Sequence, residues 1–81
     1  MAGLRRLLTA GGFSQIGLEE SADGRMITYS MRRTLPPKPG VTYNEDYFAV
    51  MNLIKAAAYS VERQELEMTF NGGWMDGTFL A

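Results

Sequence analysis

Between Gln15 and Arg32, apolar and polar residues alternate on both sides of Ala22-Asp23-Gly24-Arg25, which predicts an antiparallel hairpin. An Asp-Gly pair at the centre suits a two-residue type I′ loop, because both central residues of that loop need positive φ. Folding the chain there sets Leu18 opposite Tyr29, Ile16 opposite Met31 and Glu20 opposite Ile27. Gly17 then meets Ser30, Glu19 meets Thr28 and Gln15 meets Arg32. One face of the hairpin is apolar and the other polar. A slip of one residue would set Leu18 against Thr28 and Ile16 against Ser30, so burial penalises the wrong pairing.

Upstream, residues 2–10 predict a short helix with Leu4, Leu7 and Leu8 on one side and Arg5 and Arg6 partly on the other. Gly11-Gly12 ends it, since glycine readily takes the left-handed conformation at a helix C-terminus. So short a helix is not stable alone and must dock or fray, and docking on the body of the protein is the expected outcome. After the hairpin, Pro36, Pro37 and Pro39 stiffen residues 34–40 toward polyproline II and bar them from a central strand, which predicts a spacer.

Residues 44–61 predict the main helix. Asn44 is a suitable N-cap, and Thr42-Tyr43-Asn44-Glu45 also fits a capping box, which leaves two candidate starts. Tyr47, Val50, Met51, Ile54, Ala57 or Ala58, and Val61 recur at helical spacing and should cover the apolar face of the sheet. A second line, Ala49, Leu53, Ala56 and Ser60, is small and smooth, with Phe48 beside it. Two apolar sides imply two neighbours. The second is the N-terminal helix or a helix from another molecule, and in the latter case Ala49, Leu53 and Ala56 form the self-association seam.

At Glu65-Leu66-Glu67-Met68-Thr69-Phe70 the period changes to two, so Leu66, Met68 and Phe70 should face the core and the glutamates water. Asn71-Gly72-Gly73 turns the chain into a returning strand, residues 74–80. An Asn71-Gly72 turn pairs Met68 with Met75. A Gly72-Gly73 turn pairs Phe70 with Met75 and Leu66 with Phe79, and is favoured because it opposes more apolar groups. Asp76-Gly77 interrupts this strand in the manner of a bulge. The expected fold is α+β: one domain over 1–81, with an antiparallel sheet of three to four strands in two hairpins. The main helix packs on one face, and a short N-terminal helix precedes the sheet. No internal repeat is visible. The order helix–strand–strand–helix–strand–strand is generic, and no motif in it names a family.

Composition narrows the chemistry. The 81 residues include no cysteine and no histidine. Disulfides, thiolate metal sites, thiol nucleophiles and the usual proton shuttle near neutral pH are therefore absent. No metal or cofactor is expected. Glu19-Glu20 are adjacent on a strand and point to opposite faces, Glu45-Asp46 are explained by helix capping, and Glu65 and Glu67 by solvation, so no carboxylate pair suggests acid–base work. Neither Gly-Gly pair has the spacing of a phosphate loop. A non-enzymatic protein is expected.

The net charge of −1 and pI near 5.3 are poor footprints for nucleic acid. No apolar run approaches the roughly 20 residues of a membrane span. The start of the chain is too short in apolar residues for a signal peptide and has no lipidation motif, so a cytoplasmic location is expected. A chain of this size has a marginal core of its own, and without staples a partner or oligomerisation is its natural stabiliser.

Two functional classes remain. In a nucleic-acid reading, Arg25, Arg32, Arg33, Lys38, Arg5 and Arg6 supply charge, and Tyr29, Tyr43 and Trp74 supply stacking. In the preferred reading the chain contacts another protein or a second copy of itself. Met26 lies on the polar hairpin face, Met75 near the C-terminal turn, and Trp74 resembles a hot-spot anchor. Open sheet edges, carrying little proline or lysine, offer further contact. The expected binding residues are Met26, Arg32, Arg33, Trp74 and Met75. Small orphan domains of this kind are common in phage and other mobile elements as inhibitors or accessory subunits, an association of class rather than of residues.

Overall fold

In the computed structural model, residues 1–33, 39–71 and 73–81 are described, the side chains of Tyr43 and Asn71 excepted. The chain runs α1 (Ala2–Ala10), β1 (Phe13–Glu20), β2 (Met26–Arg33), α2 (Tyr43–Ser60), β3 (Gln64–Asn71) and β4 (Trp74–Leu80). The four strands form one antiparallel sheet in the order β1-β2-β4-β3. Each half of the chain is thus a helix followed by a hairpin, and β2 and β4 meet at the centre. Exchanging the halves maps the strand order onto itself, an approximate two-fold relation centred near the facing pair Thr28 and Thr78. The α+β class, the two hairpins and both helices agree with expectation. Residues 34–38 of the spacer expected over 34–40 lie outside the described residues.

Both helices cover the same face. α1 packs on β1, α2 on β3, and the helices touch each other. Leu4 and Leu8 of α1 and Val50, Ile54, Ala57 and Ala58 of α2 are buried against Ile27, Tyr29, Met31, Met75 and Phe79 of the central strands. Gly11 follows α1 with ordinary helical φ and is needed for closeness. A Cβ there would lie 2.7 Å from Leu53 Cδ2. Leu53 therefore faces the chain's own N-terminal helix. The left-handed turn expected at the end of α1 falls on Gly12, with φ 95°.

The capping box at Thr42 sets the start of α2. Thr42 Oγ1 accepts from the Glu45 N–H, and the Glu45 carboxylate accepts from the Thr42 N–H, both at 3.2 Å. Arg33, the last residue of β2, donates to Asp46 in the first turn of α2 at 2.9 Å. The C-terminus of α2 closes as a Schellman motif: Arg63 N–H donates to Ala58 O and Glu62 N–H to Tyr59 O, with Glu62 at φ 58°. Arg63 also donates to the carbonyl of Gly24 in the first hairpin loop.

The registers show where side-chain alternation misleads. Near the first loop the pairs are as expected: Glu20 with Ile27, Glu19 with Thr28, Leu18 with Tyr29, Gly17 with Ser30. Beyond Gly17 they are not. Ser14, not Gln15, meets Arg32, so Gln15 and Ile16 together oppose Met31 in a bulge, with Gln15 at φ 50°. The extra residue reverses the parity of the strand and turns Phe13 into the core, where it is 2 % exposed. Arg5 secures the bulge by donating to Ile16 O at 2.5 Å.

The first loop also differs. Ser21 N–H donates to Met26 O and Gly24 N–H to Ser21 O, and only Gly24 has positive φ, so the loop is wider than a type I′ pair. Asp23 accepts from the Ser21 hydroxyl at 2.6 Å and the Arg25 N–H at 3.1 Å, and these bonds hold its carboxyl below the usual range.

In the second hairpin Phe70 meets Met75, as the favoured turn requires. The bulge expected at Asp76-Gly77 is instead on the neighbouring strand. Glu67 and Met68 together oppose Gly77, with Glu67 at φ 58°. Leu66 consequently meets Thr78 and not Phe79, and it faces outward at 44 % exposure. Glu65 takes the inward position opposite Phe79. Both edge strands, β1 and β3, are thus bulged near their middles.

Candidate functional site

No described residue covers the face of the sheet away from the helices. Its strands contribute Gly17 and Glu19 from β1, Met26, Thr28, Ser30 and Arg32 from β2, Trp74, Asp76, Thr78 and Leu80 from β4, and Gln64, Leu66 and Thr69 from β3. Cross-strand rows follow from the register. Met26 and Leu80 lie side by side at one end, with Leu66 diagonal to Leu80, and all three are exposed. At the other end Trp74, 39 % exposed, carries the Arg32 guanidinium 5.3 Å from its ring centre. Between the ends runs a shallow groove of about 520 Å3, lined by the hydroxyls of Thr28, Ser30, Thr69 and Thr78 and by Glu19, Glu67 and Asp76.

Of the expected binding residues, Met26, Arg32 and Trp74 are on this face. Arg33 and Met75 are not. Successive strand residues point to opposite faces, so if Arg32 and Trp74 face outward, their neighbours face in. Met75 is wholly buried, which corrects its placement at the surface. Arg33 is engaged with Asp46, its side chain only 18 % exposed. The same parity rule separates Glu19 from Glu20, and applying it to Arg32-Arg33 and Trp74-Met75 finds the correct members from sequence. Leu66 has no such signal, because only the bulge brings it outward.

The expected self-association seam divides. Ala49 and Ala56 are exposed on α2, whereas Leu53 lies against Gly11. A different exposed stripe lies on the same helix: Phe48, which the sequence already sets beside that seam, at 60 %, and Tyr59, which sequence reasoning missed, at 84 %, eleven residues and therefore three turns apart.

The basic residues are scattered. Arg5, Arg33 and Arg63 donate to Ile16 O, Asp46 and Gly24 O, and so serve the fold. Tyr29 is buried and offers no stacking surface; Lys38 lies outside the described residues. The Tyr29 hydroxyl has no hydrogen-bond partner among the described residues, nor has Glu65 Oε1. Burial, reinforced by the charges of Glu65 and Asp76, pushes the Tyr29 phenol above its ordinary value of 10.0. Among the described residues there is no group of three acidic, histidine or cysteine side chains able to hold a metal ion, and no helix long and apolar enough to cross a membrane. No family model, curated protein or solved structure matches this chain.

Proposed function

We propose that this chain is a non-enzymatic interaction module that binds another protein through the uncovered face of its sheet. It works as a small subunit or inhibitor of a larger complex, or as a homo-oligomer. The observation that carries the reading is Trp74: a large aromatic side chain, well exposed on a flat face, braced by Arg32 and lying beyond a groove from the apolar corner of Met26, Leu66 and Leu80. Exposed aromatic and arginine side chains of this kind are the types enriched in binding hot spots, and a contiguous exposed apolar corner is a common mark of an interface. A cytoplasmic setting, and an origin in phage or another mobile element, accord with a small chain free of cysteine.

The test is affinity capture from an extract of the source cell with the native chain, Trp74→Ala and Met26→Ala, each checked for folding by circular dichroism. A partner retained by the native chain and lost on Trp74→Ala supports the proposal. Equal retention by all three chains defeats it. Light scattering over a dilution series tests self-association, and a strict monomer removes the role of Ala49 and Ala56. The Arg32–Trp74 stack also favours a second reading, nucleic-acid binding. Its signature is oligonucleotide affinity that falls with salt and with Arg32→Ala.

A further inference from the structure

The uncovered face has a charge pattern as well as a shape. The groove between its two apolar ends is lined by Glu19, Glu67 and Asp76 and by no basic residue. Among the described strand residues of the face the basic one is Arg32, which lies at the Trp74 end and stacks on that ring, while Arg25, in the first hairpin loop, adjoins Met26 and Leu80 at the other end. From the row of Met26 to the row of Arg32 is six residues of β2, or about 20 Å of strand. Along the central strands the surface thus reads Met26 and Leu80, then the hydroxyls of Thr28 and Thr78, then Ser30 and Asp76, then Arg32 and Trp74, with Glu19 and Glu67 flanking the groove from the two edge strands. A polyanion meets three carboxylates there, and a second copy docking face to face sets like charges against each other.

We propose that this face docks a cationic amphipathic segment of a partner protein, with basic side chains set against Glu19, Glu67 and Asp76 and apolar ones against Leu66, Leu80 and Trp74. The inference rests on the proposed function and adds the chemistry of the partner. A helix of about 13 residues spans the line from end to end, and its lysines or arginines fall over the groove. Attraction of this kind speeds association and weakens with salt, while the apolar ends hold the complex.

The experiment is a titration of the isotope-labelled full chain, followed by amide chemical shifts. The probes are a leucine–lysine amphipathic peptide of about 13 residues and its leucine–glutamate counterpart. The leucine–lysine peptide should move the amides of Thr28, Ser30, Thr69 and Thr78, with an affinity that falls as salt rises. The leucine–glutamate peptide should not. Glu19→Lys/Glu67→Lys should weaken binding by about tenfold or more, and Asp76→Asn, a milder change, should weaken it less. Far-UV circular dichroism confirms that each variant folds.

Equal binding of both peptides overturns the inference, as do shifts confined to α1 and α2. It is also overturned by shifts of the face that appear on concentrating the chain alone, or by an oligonucleotide that moves the same amides. The two proposals fail separately. If the captured partner is lost on Trp74→Ala but retained by Glu19→Lys/Glu67→Lys, contact through the face stands and the cationic partner falls.

Discussion

The Tyr29 ring lies across Gly77 so closely that a Cβ at that position would be 2.5 Å from Tyr29 Cζ. Gly77 is at the crossing of two features. It pairs with Tyr29 on β2 and stands opposite the Glu67-Met68 bulge on β3. The ring also packs on Phe79, with centroids 4.8 Å apart. Gly77→Ala should therefore destabilise by about 1–3 kcal/mol through overpacking. Urea unfolding measures this. The penalty should largely vanish in a Tyr29→Leu background, and a Gly77→Ala chain of unchanged midpoint shows that the ring moves aside freely.

Tyr29 carries a hydroxyl that is buried without a partner among the described residues. Removing it breaks no hydrogen bond and relieves the cost of burying an unpaired polar group, so Tyr29→Phe should leave stability unchanged or raise it by about 1 kcal/mol. The pH dependence has a definite sign. The phenol is raised in the folded chain, so its contribution is fully present below pH 10.0 and declines as pH climbs above that value. Native protein should lose stability at alkaline pH more steeply than Tyr29→Phe. Parallel unfolding curves above pH 10 for the two chains contradict this.

Glu62 holds the left-handed position of the Schellman motif, φ 58°, where glycine is the usual occupant. Glu62→Gly should stabilise by about 0.5–1 kcal/mol, while Glu62→Ala keeps the strain and should gain nothing. Thermal melts of the three chains decide. A destabilised glycine variant shows that the Glu62 side chain contributes more than its backbone costs.

Arg33 and Asp46 join the end of β2 to the first turn of α2, with both side chains largely shielded from water. Each alanine substitution should cost about 1–2 kcal/mol, and the double variant less than the sum. Strict additivity in the cycle implies that the pair contributes nothing by itself. Arg33→Ala should leave partner capture intact once folding is matched, in contrast to Arg32→Ala.

What the sequence shows and hides can be traced to parity. Leu18, Tyr29, Ile27 and Met31 are legible because burial and pairing agree, and a slip exposes all of them together. The capping box and the stripe on α2 are legible for the same reason, since local chemistry and packing coincide. The bulges are another matter. In β1 a clue exists: Phe13 and Ile16 are three residues apart, an odd spacing for two inward side chains, and an extra residue resolves it. In β3 no clue exists. Leu66, Met68 and Phe70 alternate as a regular strand should, yet the backbone at Glu67 breaks the count and exchanges Leu66 with Glu65. One member of the candidate surface, Leu66, depends on that break, which is why alternation alone does not find the whole face.

The irregular edges also bear on how the protein behaves in a crowd. A sheet grows by adding strands to a straight border, and here both borders are broken at mid-length. Fibril growth at high concentration has no template on either side. Deleting Gln15 alone would straighten one border and leave Phe13 inward, opposite Arg33, so a loss of one residue, without any change of charge or of core, should convert a well-behaved chain into one that polymerises.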